Sequence, residues 1–105
     1  MIAVVSHAWL LPGESHARAY QEISARFTVY HRGHPGFRGR RLLRGHDDPS
    51  HLINLRYFDS VADYERLVAT ADYPGWIAQL SEHVQALSPV KEYLEVVLDD
   101  VDPSM

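Results

Sequence analysis

Three side chains capable of chemistry, Asn54, Tyr64 and His7, lie among apolar neighbours. Asn54 lies in the alternating segment His51–Phe58, and Tyr64 follows a spacing of hydroxyl and acid that is typical of a helix N-terminus. An amide and a phenol donate hydrogen bonds, and an imidazole changes charge near neutral pH. Such groups in apolar surroundings predict a pocket between a sheet and its helices, although they do not name a substrate.

The elements that must position these residues follow from hydrophobic periodicity and turn residues. The predicted order is βαββ(αα)β, an α+β chain with one antiparallel sheet. The strands are expected at residues 2–11, 37–44, 51–58 and 90–98. The helices are expected at residues 14–31, 60–70 and 72–87, with Pro89 closing the last.

The length and composition fit one globular domain. We assign residues 1–98 of the 105 to that domain and residues 99–105 to a loose acidic tail. No stretch reaches the roughly 20 apolar residues that span a bilayer, so no membrane partner is expected. The N-terminus does not resemble a signal peptide. The sequence has no cysteine, which excludes thiolate chemistry and fits a cytoplasmic protein.

Two clusters of charged or titratable residues invite other functions. The arginines of residues 38–44 could form a nucleic-acid patch, but the net charge is −4 and no aromatic residues interleave them. We interpret them as a solvated edge strand and expect no nucleic-acid partner. The seven histidines match no recognised ligand spacing, so we interpret them as surface residues and expect no metal.

The sheet is apolar on both faces. Leu52, Asn54 and Phe58 share one face of the third strand, whereas Ile53 and Leu55 share the other. The helices can cover one face of a four-stranded sheet, and the face left open normally has polar residues. An apolar open face implies a partner surface, and we predict a two-fold homodimer.

The order βαββαβ, the Pro35-Gly36-Phe37 start of the second strand and the segment from Leu52 to Leu67 resemble the antibiotic biosynthesis monooxygenase family. The resemblance covers about residues 2–98. It implies a ferredoxin-like domain that dimerises through its sheet into an α+β barrel. Members of this superfamily have several different activities, so the pattern identifies the fold better than the chemistry.

The resemblance also implies site residues. Asn54 and Tyr64 stand where the quinone-forming members have a pocket amide and a pocket phenol. Phe58 replaces the tryptophan of that motif, and residues 75–84 contain no counterpart of its arginine. Arg56 has no assigned role in this comparison.

Such enzymes need no cofactor. They remove a proton from an electron-rich phenol, and the resulting carbanion reduces O₂ directly. By this resemblance Asn54 and Tyr64 would stabilise the developing oxyanion, and His7 would be the base. Each residue also has a structural alternative. Asn54 could be a buried amide with its hydrogen bonds satisfied, Tyr64 a phenol of the core, and His7 a strand histidine that is only packed.

The resulting functional hypothesis is a cofactor-independent monooxygenase acting on a small aromatic or polycyclic phenol. The apolar pocket lining is expected to include Trp9, Tyr20, Phe27, Phe58 and Trp76. One alternative is a non-catalytic binding or interaction dimer of the same fold. Another is a heme-degrading oxygenase, for which His83 is the nearest candidate axial ligand.

Overall fold

The computed structural model describes residues 1–87 and 91–102. Eight elements follow one another in this part of the chain. The helices are α1 (Glu14–Arg32), α2 (Val61–Val68) and α3 (Tyr73–Ser81). The strands are β1 (Ile2–Leu10), β2 (Phe37–Arg44), β3 (His51–Phe58), β4 (Val84–Leu87) and β5 (Glu92–Glu95).

The strands form one antiparallel sheet around β1. Its order is β2-β3-β1-β4, and β5 pairs with β1 as well. The pairings Leu10 with Val84 and Ile2 with Glu95 place β4 and β5 at opposite ends of the same edge of β1. The predicted α+β class, antiparallel sheet and ferredoxin-like fold are confirmed, but among the described residues the sheet has five strands where the sequence predicts four.

Helix α2 begins where the sequence places it. The Ser60 side chain accepts a hydrogen bond from the backbone N–H of Asp63 at 3.2 Å and donates to its carboxylate at 2.9 Å. This satisfies one of the four N–H groups that a helix N-terminus leaves unpaired. No helix among residues 1–87 and 91–102 is long and apolar enough to cross a membrane.

The predicted extent of the last helix is wrong. Helix α3 ends at Ser81, and Val84 and Leu87, expected on its apolar stripe, belong to β4. A short apolar run fits either a helix or a strand. Residues 84–87 form a strand here because their backbone groups pair with those at the open edge of β1. The predicted end at Pro89 lies outside the described residues.

The last predicted strand, residues 90–98, is also shorter than expected. Strand β5 spans Glu92–Glu95, and one further backbone bond joins the N–H of Val96 to the carbonyl of Met1 at 3.0 Å. Val97 and Leu98, the predicted end of the strand, are largely exposed and lie beyond it. Val90 and residues 103–105 of the tail lie outside the described part of the chain.

The hydrophobic core lies between one face of the sheet and the three described helices. Strand β3 alternates strictly, and its buried residues face that core. Asn54 and Arg56 are therefore inward residues, opposite Ser6 and Val4 of β1. The Asn54 amide and the Arg56 guanidinium are thus carried by β3, an inner strand of the sheet.

Candidate functional site

A cavity of about 230 Å³ lies between the inward face of the sheet and helices α1 and α3. Its wall combines aliphatic and aromatic side chains with an amide, two phenols and three cations. The lining residues are Ser6, His7, Tyr20, Phe27, Arg40, Asn54, Arg56, Tyr73, Ile77, Leu80, Ser81, Leu87 and Lys91. A small apolar chamber with a few polar groups is the usual composition of a small-molecule site.

Asn54 connects strand β2 to helix α1 across this wall. Its Nδ2 donates to the Tyr20 hydroxyl at 3.1 Å, and its Oδ1 accepts from Arg40 Nη2 at 2.6 Å. Arg40 also donates to the backbone carbonyl of Ser24 at 3.0 Å. The amide is therefore paired at both ends, and its orientation fixes Arg40 at the cavity.

Arg56 organises the other half of the wall. Its Nη1 donates to the Tyr73 hydroxyl at 2.9 Å, and its Nη2 donates to the Tyr64 hydroxyl at 3.3 Å. Lys91 Nζ also donates to the Tyr64 hydroxyl. Two phenols and two cations thus form one buried network, in which Arg56 holds the Tyr73 hydroxyl at the cavity.

The network shifts the protonation of its members. Burial opposes the ionisation of Tyr73, but Arg56 and Lys91 outweigh it and lower the pKa of this phenol. Burial raises the pKa of Tyr64 and lowers that of Lys91. The site therefore contains two phenols of opposite character, and Tyr73 is the one that gives up its proton more readily.

A buried histidine lies beneath Arg56. His31 is fully buried, and its Nδ1 donates to the Phe27 carbonyl at 2.7 Å. Burial first, and then Arg56 and Arg40, lower the pKa of His31 to about 3. The ring is therefore neutral, and its Nε2 is available to accept from Arg56 Nη1 at 3.4 Å.

The structure agrees with the sequence prediction for His7 only in part. His7 borders the cavity, but it pairs with Ile53 on the outer face of the sheet. Its Nδ1 lies 2.9 Å from His51 Nε2, and its ring stacks with those of His51 and Trp9. His7 therefore shares the cavity with Asn54, as predicted, but its ring packs with His51 and Trp9, and neither Trp9 nor Tyr64 lines the cavity.

Three further predicted pocket residues lie behind the wall. Phe58 is fully buried and packs edge-to-face with Tyr64. Trp76 does not line the cavity but stacks on Phe27, with ring centroids 5.3 Å apart. Tyr64 does not line the cavity but contacts its residues Arg56, Lys91 and Tyr73. The predicted residues that line the cavity along with His7 are Tyr20, Phe27 and Asn54.

Sequence reasoning missed the three cations and Tyr73. Arg56 carries a usable signal, since an arginine at an inward position of an alternating strand is anomalous. Arg40 was interpreted as part of a solvated edge, and this is corrected: its guanidinium is largely buried, whereas the adjacent Arg41 is exposed. Tyr73 precedes a proline at a helix start and carries no comparable signal.

The heme alternative finds no support at this cavity. His83 does not line it, and its Nδ1 instead lies 3.0 Å from His16 Nδ1. The residues described by the structure contain no group of three or more His, Cys, Asp or Glu side chains that could hold a metal ion.

Comparison with solved structures identifies the fold. SnoaB, a cofactor-independent oxygenase from Streptomyces nogalater, is 16% identical with a TM-score of 0.71, over 97% of this chain and 96% of that one. A provisionally named antibiotic biosynthesis monooxygenase from Bordetella bronchiseptica is 18% identical with a TM-score of 0.80, over 92% and 97%. Its counterpart from Caulobacter crescentus is 19% identical with a TM-score of 0.77, over 92% and 90%.

No family model matches the sequence, and the comparison with curated proteins found no match either. The likeness is therefore one of backbone architecture, spread over nearly the whole length of each pair of chains. The resemblance inferred from the sequence is confirmed at that level: this chain has the fold of the antibiotic biosynthesis monooxygenases.

Proposed function

We propose that this protein is a cofactor-independent monooxygenase that oxidises a small aromatic phenol in the cavity between sheet and helices. The observation that carries the proposal is the Arg56–Tyr73 pair. A cation-bound phenol at the wall of a small, mostly apolar chamber is an acid–base group placed beside a site for a planar ring.

The chemistry assigns a role to each side chain. Tyr73, as phenolate, takes the proton of the substrate phenol, and Arg56 stabilises the charge as it moves from one oxygen to the other. The substrate phenolate gives one electron to O₂, and the phenoxyl radical and superoxide combine as a peroxide on a ring carbon that carries a hydrogen. This peroxide takes the proton back from Tyr73. Loss of water from that peroxide gives the quinone, so one oxygen atom enters the product and the other leaves as water.

The cavity volume narrows the substrate class. An engineered cavity of about 150 Å³ binds benzene, so about 230 Å³ accommodates one substituted ring. Phe27, Ile77 and Leu80 supply apolar contact for such a ring. Of the phenols suggested by the sequence, a monocyclic phenol fits better than a polycyclic one.

An oxygen electrode tests the proposal with a panel of hydroquinones and anthrones. Tyr73→Phe should lower the rate by about a hundredfold or more, because a positioned base contributes roughly 10² to 10⁴. Asn54→Ala should lower it as well, through the loss of Arg40 positioning. Tyr57→Phe, on the outer face of β3, is the matched control and should leave the rate unchanged.

A non-catalytic binding protein is the second candidate, and one observation favours it. Both ends of the Asn54 amide are satisfied within the protein, as in a structural amide. Binding of panel members without oxygen uptake by the folded wild-type protein would establish this alternative.

A homodimer formed through the outer face is part of the proposed function. That face presents Leu43 and Leu94, each more than two-fifths exposed, and a broad groove bordered by Val5, Leu55 and Tyr57 as well as by charged side chains such as Arg41 and Glu95. Apolar surface of this kind favours a partner. Light scattering should give twice the 12.0 kDa chain mass, and Leu55→Arg should shift the protein to monomer if this face is the interface.

A further inference from the structure

Two arginines meet at the cavity without an acidic partner among the residues that the structure describes. Arg56 is 4% exposed and donates to the phenols of Tyr64 and Tyr73. Arg40 donates to the backbone and hydroxyl of Ser24 and to the Asn54 amide. Every one of these acceptors is neutral while Tyr73 keeps its proton, and a Tyr73 phenolate would offset one of the charges at most. Hydrogen bonds satisfy part of each guanidinium, but they leave both positive charges uncompensated.

The rest of the wall adds to the positive charge. Lys91 is a third cation, and no Asp or Glu is found among the described residues that line the cavity. The Nε atoms of Arg40 and Arg56 are buried and have no acceptor within the described chain. Buried charges in folded proteins are normally paired, because desolvation is costly. A cavity with three cations therefore lacks its counter-charge.

The protonation of neighbouring groups agrees with a positive cavity. Burial first, and then the charge of Arg56, lower the pKa of Arg40 to about 10. Burial chiefly, and Arg56 in addition, also lower the pKa of Lys91. With a pKa of about 10, Arg40 stays protonated near neutral pH, so its charge persists there.

We infer that this cavity binds an aromatic ligand that carries a carboxylate, with the acid group held by Arg40 and Arg56. This inference concerns binding alone and does not require the ligand to be the phenol that the proposed reaction oxidises, since Arg56 cannot hold a carboxylate and a distant phenol oxygen at the same time. A carboxylate matches the planar guanidinium fork and brings one negative charge into a small chamber. The apolar side chains of Phe27, Ile77 and Leu80 would contact its ring.

The test compares 4-hydroxybenzoate with 4-hydroxybenzamide by titration calorimetry at neutral pH. The two probes have nearly the same shape and differ in charge. The wild-type protein should bind the acid at least about tenfold more tightly, since a hydrogen bond to a charged group contributes about 1.5–3 kcal/mol. Arg40→Gln and Arg56→Gln should each reduce that preference by about tenfold.

Arg41→Gln is the matched control, because it removes the same charge from an exposed position of the same strand. It should leave the preference for the acid unchanged. Arg56→Lys keeps the charge and should retain most of the preference. If Arg56→Gln fails to give a cooperative melting transition, Arg40→Gln provides the test. Inorganic phosphate is a compact anion without a ring, so it buries no apolar surface in the cavity. It should therefore bind at least about tenfold more weakly than 4-hydroxybenzoate.

Equal affinity for acid and amide in the wild-type protein would overturn the inference, as would a preference that survives both arginine substitutions. Phosphate binding as tight as that of the aromatic acid would also overturn it. Oxygen uptake separates this inference from the proposed function. Charge-dependent binding without uptake supports the carboxylate site and removes the oxygenase, whereas uptake of neutral phenols with no preference for acids does the reverse.

Discussion

Arg40 and Arg56 are direct cross-strand partners in the β2–β3 pair, and both side chains face the cavity. Like charges directly opposite each other destabilise an antiparallel sheet. Here the two guanidiniums are also withdrawn from water. Proteins keep such unfavourable arrangements chiefly at functional sites, where a ligand supplies what the fold lacks.

The first prediction concerns the repulsion between these two residues. Arg40→Gln loses the same hydrogen bonds whether or not Arg56 is charged, but it relieves repulsion only when Arg56 is present. The substitution should therefore reduce the free energy of unfolding less in the wild-type background than in Arg56→Gln. We expect a difference on the order of 1 kcal/mol, measured by urea denaturation of the four proteins of the cycle. Equal costs in the two backgrounds would contradict a repulsive pair.

The second prediction concerns the pH dependence of stability through His31. Its pKa falls from 6.5 in the unfolded chain to about 3 in the folded protein. The unfolded chain thus binds more protons between these values, and stability decreases as the pH falls below 6.5.

His31→Gln removes this titration. Between pH 6.5 and about pH 5 the free energy of unfolding should therefore fall by on the order of 2 kcal/mol more in the wild-type protein than in the variant. Urea denaturation at the two pH values measures it. His46→Gln, at a fully exposed histidine, should leave the pH dependence of the wild-type protein intact. Parallel pH profiles for wild type and His31→Gln would show that His31 titrates normally.

The third prediction concerns the turn before strand β2. Gly36 has a φ of 85°, and a Cβ at this position would overlap the Asp63 side chain near the start of α2. Gly36→Ala should destabilise the protein by about 2 kcal/mol or more, from backbone strain and displacement of the cap. Gly75→Ala lies in α3 with no atom within 4 Å of the added methyl.

Gly75→Ala should stabilise the protein by about 0.5–1 kcal/mol, because glycine in a helix interior is less favourable than alanine. Thermal denaturation of Gly36→Ala and Gly75→Ala measures both changes in stability. A Gly36→Ala variant as stable as the wild type would contradict the close approach of the Asp63 side chain to Gly36.

The fourth prediction concerns the pH dependence of catalysis. If Tyr73 is the base, kcat/KM for a hydroquinone should rise with pH and level off at an apparent pKa below the ordinary phenol value of 10.0. Arg56→Gln should move that midpoint upward, because it removes the charge that favours the phenolate. Steady-state oxygen uptake from neutral to alkaline pH measures both. A midpoint that stays in place in Arg56→Gln would assign the proton transfer to another group.

The sequence by itself determined the inward face of β3. Side chains alternate between the two faces of a strand, so the position of Leu52 and Phe58 in the core requires Asn54 and Arg56 to face the core with them. The start of α2 was fixed as well, because a capping residue acts within one turn. These features depend on neighbours in the chain, and local periodicity is sufficient to predict them.

Only the tertiary structure decided the rest of the site. A shift of register between Phe37 and Gly39 in β2, where Gly39 has a φ of 154°, places Phe37 and Arg40 on the same face although they are three residues apart. Simple alternation from Phe37 would direct Arg40 outward. Likewise, β4 is a strand because β1 offers it an open edge. Both outcomes depend on backbone hydrogen bonds to a distant segment, which the local sequence pattern does not encode.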